Sequence, residues 1–178
     1  MNRKTLWITQ TAVIMALLIV VQAITASLGN TIITGSLVNL MLIIGVMVGG
    51  LTSGLTIALL SPVFAKLFGI GPLWTLILFI ALGNAALVLC WHFLGKQRFA
   101  APVVVSGATT VVAAAVKFIV LYVGVVLIAV PVLLKLPNPQ AGVISAMFSF
   151  PQLLTALIGG VLSMIVMPLV KKAITQNQ

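Results

Sequence analysis

The side chains of this sequence that could do chemistry are few, and they permit binding rather than catalysis. The chain contains no aspartate and no glutamate, one histidine, His92, and one cysteine, Cys90. Metal hydrolases need clustered histidine or carboxylate ligands and glycosidases need paired carboxylates, so neither site can be built. The glycines also lack the neighbouring Lys and Ser/Thr of a phosphate-binding loop. We therefore expect that this chain is not an enzyme. We also expect it to hold no catalytic residue, no metal and no cofactor.

Lys117 is a basic residue placed deep within an apolar run. It lies about 16 residues into the apolar run at residues 101–134, the fifth along the chain. If that run spans a membrane from its inner side, Lys117 lies about 24 Å from the inner boundary, in the outer third of the bilayer. An ammonium there costs about 3 kcal/mol unless it is solvated or paired, and the chain offers it no carboxylate. Either the side chain snorkels to the outer surface, or it faces a wet cavity where a ligand supplies the counter-ion.

Other polar and aromatic side chains are expected in the outer half of the neighbouring spans, with Asn84 deeper than the rest. They could line a pocket that opens outward under a polar loop at residues 29–36, with Trp74 as an apolar wall and the amides orienting the ligand. Each of them alone could instead join helices by hydrogen bonds. The predicted substrate-binding residues are Lys117, Trp74, Asn84, Asn39, Tyr122, Gln152, Gln22, Thr34 and Ser36.

The elements that must position these residues are membrane spans. Of the 178 residues, 62% are hydrophobic and 5% are charged, against roughly 25% charged in soluble domains. At about 20 apolar residues per span, the sequence predicts an all-α polytopic membrane protein with six transmembrane helices in one domain, residues 1–178. We expect a break at Gly49 and Gly50, a kink or break near Ser61 and Pro62, the end of regular helix near Pro131, and a loop at residues 136–142. The predicted spans are residues 5–27, 37–48, 51–68, 73–94, 101–134 and 146–170.

The basic residues predict the orientation. With six spans, three basic pairs fall on one side of the membrane, which the positive-inside rule places in the cytoplasm together with both termini. Lys66 and Lys135 fall on the outer side. The net charge of +9 occurs as short pairs beside apolar runs, which indicates contact with lipid headgroups and argues against nucleic acid as a partner. The pairs are Arg3 with Lys4, Lys96 with Arg98, and Lys171 with Lys172.

Several stretches resemble the membrane-embedded, substrate-binding S component of energy-coupling factor (ECF) vitamin transporters. They are TAVIMALLIV with Ala12 and Ala16 in an AxxxA arrangement, a polar loop after the first span, GSLVN, SPVFAKLFGIGPLW and FIALGNAALVL. The resemblance implies a six-span subunit of an ABC-type importer in a bacterial cell membrane, which binds a vitamin from outside and delivers it by toppling. It further implies a transmembrane coupling protein that packs on Ala12 and Ala16, and two ATP-binding subunits that hold ATP and Mg.

The resemblance leaves the substrate open. A pocket with Lys117 and no acidic residue favours an anionic ligand. Pantothenate fits, with one carboxylate for Lys117 and with hydroxyl and amide groups for Asn39, Asn84 or Gln152. Folate is anionic but needs a larger site, whereas a hydroxymethylpyrimidine or pyridoxine ligand would use stacking and amide hydrogen bonds. An interpretation of another class is an intramembrane structural or assembly protein without a ligand.

Overall fold

The computed structural model describes residues 3–97 and 100–175, which fold into helices joined by short connections. No strand occurs within these residues, so the all-helical fold is confirmed. Arg98, one of the predicted topology signals, lies outside the described residues. The elements are α1 (Arg3–Ala26), α2 (Thr31–Leu67), α3 (Trp74–Leu94), α4 (Pro102–Leu121) with a π-helical continuation (Tyr122–Leu134), α5 (Asn138–Met147) and α6 (Phe150–Thr175).

The helices have the length and composition of a multi-pass membrane protein. Within the described residues, five helical stretches are long and apolar enough to cross a bilayer. Their outer faces carry large exposed apolar side chains, such as Val103, Ile165 and Leu169. Lipid can cover such a surface, because it removes the cost of exposing apolar area to water. The five stretches are Lys4–Ala26, Thr31–Leu67, Trp74–Leu94, Pro102–Leu134 and Asn138–Ala173.

Helix α2 reverses direction in its middle. Gly50 has φ 81° and ψ −177°, a conformation that side chains other than glycine rarely adopt. A Cβ built on Gly54 would lie 3.0 Å from Val46 Cα, whereas in a straight helix these two residues would be about 12 Å apart. Residues 31–49 and 51–67 are therefore antiparallel, and we call them the first and second arms of α2. The predicted break at Gly49 and Gly50 is confirmed.

The two arms of α2 form the centre of the bundle. Helix α2 packs against α1, α3 and α6, and α4 packs against α3 and α6. Among the described elements α1 contacts α2 alone, and the hydrogen bond from Thr11 Oγ1 to Ser53 Oγ (2.9 Å) ties it to the second arm just past the reversal. One buried apolar cluster joins α1, α2, α3, α4 and α6, and a second joins α3, the α4 continuation and Phe148.

The chain reversals give the bundle two distinct ends. The start of α1, the Gly50 turn, the end of α3, the start of α4 and the end of α6 lie at one end. Lys4, Lys96, Lys171 and Lys172 occur there, and we call it the basic end. The connections at residues 27–30, 68–73, 135–137 and 148–149 lie at the other end, with Lys66 in the last turn of α2 and Lys135 after the π-helical segment.

Several predicted boundaries were wrong, for local reasons. The loop predicted at residues 29–36 is helical from Thr31, because Asn30 Oδ1 accepts hydrogen bonds from the Ile32 and Ile33 amides and caps the helix. The loop predicted at residues 136–142 is helical from Asn138, since a proline is tolerated in a first helical turn. The predicted sixth span begins at Phe150 rather than at residue 146.

The structure also differs from the helix break considered at Pro62 and from the helix end predicted near Pro131. Helix α2 continues through Pro62 to Leu67, and its residue with non-helical backbone angles is Gly50. Regular α-helix in the fifth run ends at Leu121 rather than near Pro131, and a π-helical segment carries the chain on to Leu134. The wider π-helical turn shifts the hydrogen-bond register, so a proline here interrupts a different set of bonds than in an α-helix.

Candidate functional site

A cavity of about 360 Å³ lies between the helices, toward the end opposite the basic end. Both arms of α2 contribute to it, together with α1, α3, α4, the end of α5 and the start of α6. Its volume is near the lower limit of the range of roughly 300–1,000 Å³ that is typical of small-molecule sites. Its polar lining residues are Gln22, Asn30, Thr31, Thr34, Asn39, Ser61, Asn84, Lys117, Gln152 and Thr155, and Pro62, Ile70, Ile80, Leu121 and Phe148 are among the apolar ones.

Lys117 lies at the inner limit of this cavity and does not reach the surface. Its side chain is 4% exposed, and Nζ donates hydrogen bonds to Asn39 Oδ1 (2.5 Å) and Asn84 Oδ1 (2.7 Å). The three residues come from α4, the first arm of α2 and α3. Of the two placements considered for Lys117, the structure shows the one in which it faces a cavity.

The hydrogen bonds around Lys117 make this wall of the cavity rich in donors. An ammonium has three N–H groups, and the two asparagine oxygens accept two of them. Because both amides present their oxygens to Nζ, their NH₂ groups point elsewhere, and Asn39 Nδ2 donates to Thr155 Oγ1 (3.4 Å). The third ammonium N–H and the Asn84 NH₂ group remain as donors. Such a cluster suits a carboxylate or another anionic oxygen.

Helix α1 contributes an acceptor to the same cavity. Gln22 lines it, and its Oε1 is buried without a hydrogen-bond partner among the described residues. Leaving a buried polar atom unpaired costs about 1–3 kcal/mol. A ligand group with an O–H or N–H could satisfy Gln22 Oε1. The cavity therefore combines a cationic, donor-rich wall with an acceptor on α1.

Close helix packing fixes the position of Asn39. A Cβ built on Gly159 of α6 would lie 2.6 Å from Asn39 Cβ and 2.7 Å from the Ser36 carbonyl oxygen. The missing side chain at Gly159 thus allows the first arm of α2 to approach α6. This contact holds Asn39 between Lys117 and Thr155, so the helix interface and the polar cluster depend on each other.

The structure brings six of the nine predicted binding residues to the cavity and leaves three outside its lining. Ser36 is buried beside it, with an Oγ that has no partner among the described residues. Trp74 is 55% exposed at the first residue of α3, about 15 Å along the axis from Asn84. Tyr122 packs on Phe118, with ring centroids 5.6 Å apart. The six that line the cavity are Lys117, Asn84, Asn39, Gln152, Gln22 and Thr34.

Sequence reasoning missed other residues of the cavity. Thr155 lies three positions after Gln152, a spacing that places both on one helix face, so this signal could have found it. The sequence indicated only a kink or break at Ser61 and Pro62, whereas both residues line the cavity from α2, which continues past them to Leu67. Phe148 follows α5 directly, and its place in the wall depends on a fold of residues 138–149 that the sequence did not suggest.

The small residues expected to contact a partner lie on the outside of the bundle. Ala12 and Ala16 are exposed on α1, while Ile14 and Leu18 of the same helix face the core. The Ala12 and Ala16 side of α1 also carries exposed Ile8 and Val20. Within the described residues, both alanines therefore lie on the side of α1 that faces away from the core.

Comparison with known proteins identifies no relative of this chain. No family model matches it, and neither curated proteins nor solved structures give a match. Inference about function therefore depends on the residues and geometry of the cavity, together with the sequence resemblance described above.

Proposed function

We propose that this protein is the substrate-binding S component of an ECF-type importer, and that it binds a small anionic vitamin, with pantothenate the best candidate. The observation that carries the proposal is the position of Lys117. A buried ammonium faces a cavity of suitable size; two amide oxygens hold it, and no acidic side chain of the sequence can pair with it. A ligand carboxylate would supply the missing charge and occupy the remaining donors.

The proposal includes six membrane crossings with both termini in the cytoplasm. The reversal at Gly50 supports this count, because it makes each arm of α2 a separate crossing. Helix α5, with 10 residues, is about 15 Å long and would not cross a core of about 30 Å. The basic end then faces the cytoplasm of a bacterial cell by the positive-inside rule, and the cavity opens toward the outside.

Pantothenate suits the two walls of the cavity. Its single carboxylate would lie at Lys117 and the Asn84 NH₂ group, and one of its hydroxyl groups would donate to Gln22 Oε1. Folate is a poorer candidate, because 360 Å³ is small for so large a molecule. A hydroxymethylpyrimidine or pyridoxine ligand is a weaker alternative, because Trp74 and Tyr122, the rings proposed for stacking, lie outside the cavity lining.

Transport in this proposal needs partners that supply the energy. A transmembrane coupling protein would pack on Ala12 and Ala16, and two ATP-binding subunits would hold ATP and Mg. Because α1 packs on α2 alone among the described helices, its outer side is open to such a partner along most of its length. The S component would bind its vitamin outside and topple to release it inside.

Equilibrium binding to the purified full-length protein tests the proposal. Titration with pantothenate, pyridoxine and folate in separate calorimetric experiments should give tight binding for pantothenate alone. A variant with Lys135→Ala removes one positive charge at the same end but outside the cavity, so it should bind pantothenate as the wild type does. Absence of binding for all three vitamins would refute this function and favour a structural or assembly role.

A further inference from the structure

A second, larger cavity lies at the basic end of the bundle. It has a volume of about 720 Å³ and is lined by the ends of α3 and α6, the start of α4 and the first arm of α2. Its rim carries Lys96 and Gln97, just after α3, and Lys171, near the end of α6. The two lysines are far apart in the chain but meet at one opening. The vitamin site proposed above uses none of these residues.

The rim of the second cavity is suited to a phosphate group. Lys96 and Lys171 supply ammonium donors and Gln97 supplies an amide. Helix α4 also begins at this cavity, with Pro102 in its first turn and Ala101 making no side-chain cap, so the positive end of its dipole faces the same space. Three separate elements thus place positive charge or donors around one opening.

The walls below this rim are apolar. Met47, Trp91, Met164 and Met167 line the cavity, and Trp91 is 2% exposed. Methionine side chains are flexible and polarisable, and they adapt to ligands of irregular shape. A free inorganic phosphate would gain nothing from such walls. A molecule with a phosphate at one end and hydrocarbon at the other would use both the rim and the walls.

We propose that this cavity binds an anionic phospholipid, with its phosphodiester between Lys96 and Lys171 and its glycerol and first acyl carbons against Trp91 and the methionines. The acyl chains would leave the cavity along the exposed apolar side of the bundle, where Val103 lies at the start of α4. The cavity lies where the apolar spans end and basic residues begin, which is the depth of lipid headgroups.

Native mass spectrometry of the detergent-solubilised, full-length protein tests the proposal. Titration with phosphatidylglycerol should give one tightly retained lipid, and phosphatidylcholine of the same chain length should be retained more weakly. Lys96→Ala and Lys171→Ala should each weaken phosphatidylglycerol retention about fivefold, from roughly 1 kcal/mol per basic residue near an anionic lipid. Val103→Trp keeps every charge but narrows the cavity at an exposed position, and it should also lower retention.

The matched control is Lys172→Ala, which removes the same charge from the neighbouring residue but leaves the cavity lining intact. It should retain the lipid as the wild type does. An equal loss in Lys172→Ala would show that surface charge alone attracts the lipid and would overturn the proposal. Displacement of the lipid by millimolar inorganic phosphate would identify a free anion as the ligand and would overturn it too. Pantothenate affinity measured on the same variants should not change, so failure here is distinguishable from failure of the proposed function.

Discussion

Replacing Lys117 with methionine should remove the cavity's selectivity for a carboxylate. The substitution keeps an unbranched apolar stem, one atom shorter, and removes the ammonium that donates to Asn39 and Asn84. Truncating one member of a buried, hydrogen-bonded charge pair costs about 2–5 kcal/mol of binding free energy. At about 1.4 kcal/mol per factor of ten, the Kd for pantothenate should rise at least about 30-fold.

The assay is a cycle that perturbs the protein and the ligand together. Calorimetry would measure wild-type and Lys117→Met protein with pantothenate and with pantothenol, in which an alcohol replaces the carboxylate. The wild type should bind pantothenol more weakly than pantothenate, by a factor similar to the loss of about 30-fold expected for the variant. The variant should bind both compounds with nearly equal affinity, because the group that recognises the carboxylate is gone. A variant that still prefers pantothenate as strongly as the wild type does would refute the pairing of Lys117 with the carboxylate.

Three further predictions concern other parts of the molecule. Gly50→Ala should lower the free energy of unfolding in detergent by about 1–3 kcal/mol, because Gly50 has a positive φ, whereas Gly142→Ala, in open space on α5, should leave it unchanged or slightly higher. Gln22→Leu should weaken pantothenate binding roughly 5- to 10-fold in calorimetry, since it removes one hydrogen-bond acceptor; no change would exclude contact with Gln22 Oε1. Ala12→Trp and Ala16→Trp should block copurification with the coupling protein without changing vitamin affinity, and normal assembly of both variants would exclude this side of α1 as the interface.

The sequence predicted those parts of the fold that depend on strong local signals. The helical class followed from the length of the apolar runs, and the reversal in α2 followed from Gly49 and Gly50. The helix start at Thr31 was missed because Asn30 was interpreted as part of a polar loop rather than as a cap. Helix α5 was not predicted because Pro137 and Pro139 are typical of loops, although a proline in the first turn is compatible with a helix.

The candidate site was predictable in its residue types but not in its geometry. Depth along each span predicted Lys117 and Asn39 at similar levels and Asn84 deeper, whereas the structure brings both asparagines into contact with Lys117. Rotation about the helix axis was not predictable, because a helix that is apolar on nearly every side gives no signal of which face points inward. Tyr122 illustrates this: five positions from Lys117 amount to a rotation of about 140°, which takes its ring away from the cavity.

The small molecule that stays bound during purification tests the central claim most directly. The full-length protein would be purified in detergent from cells grown with the vitamins present, denatured, and the released compounds identified by mass spectrometry. A single carboxylate-bearing vitamin, pantothenate, should be released in near-stoichiometric amount from the wild type and in much smaller amount from Lys117→Met. Release of no small molecule, or of an uncharged one in equal amount from both proteins, would contradict the assignment of this cavity to an anionic vitamin.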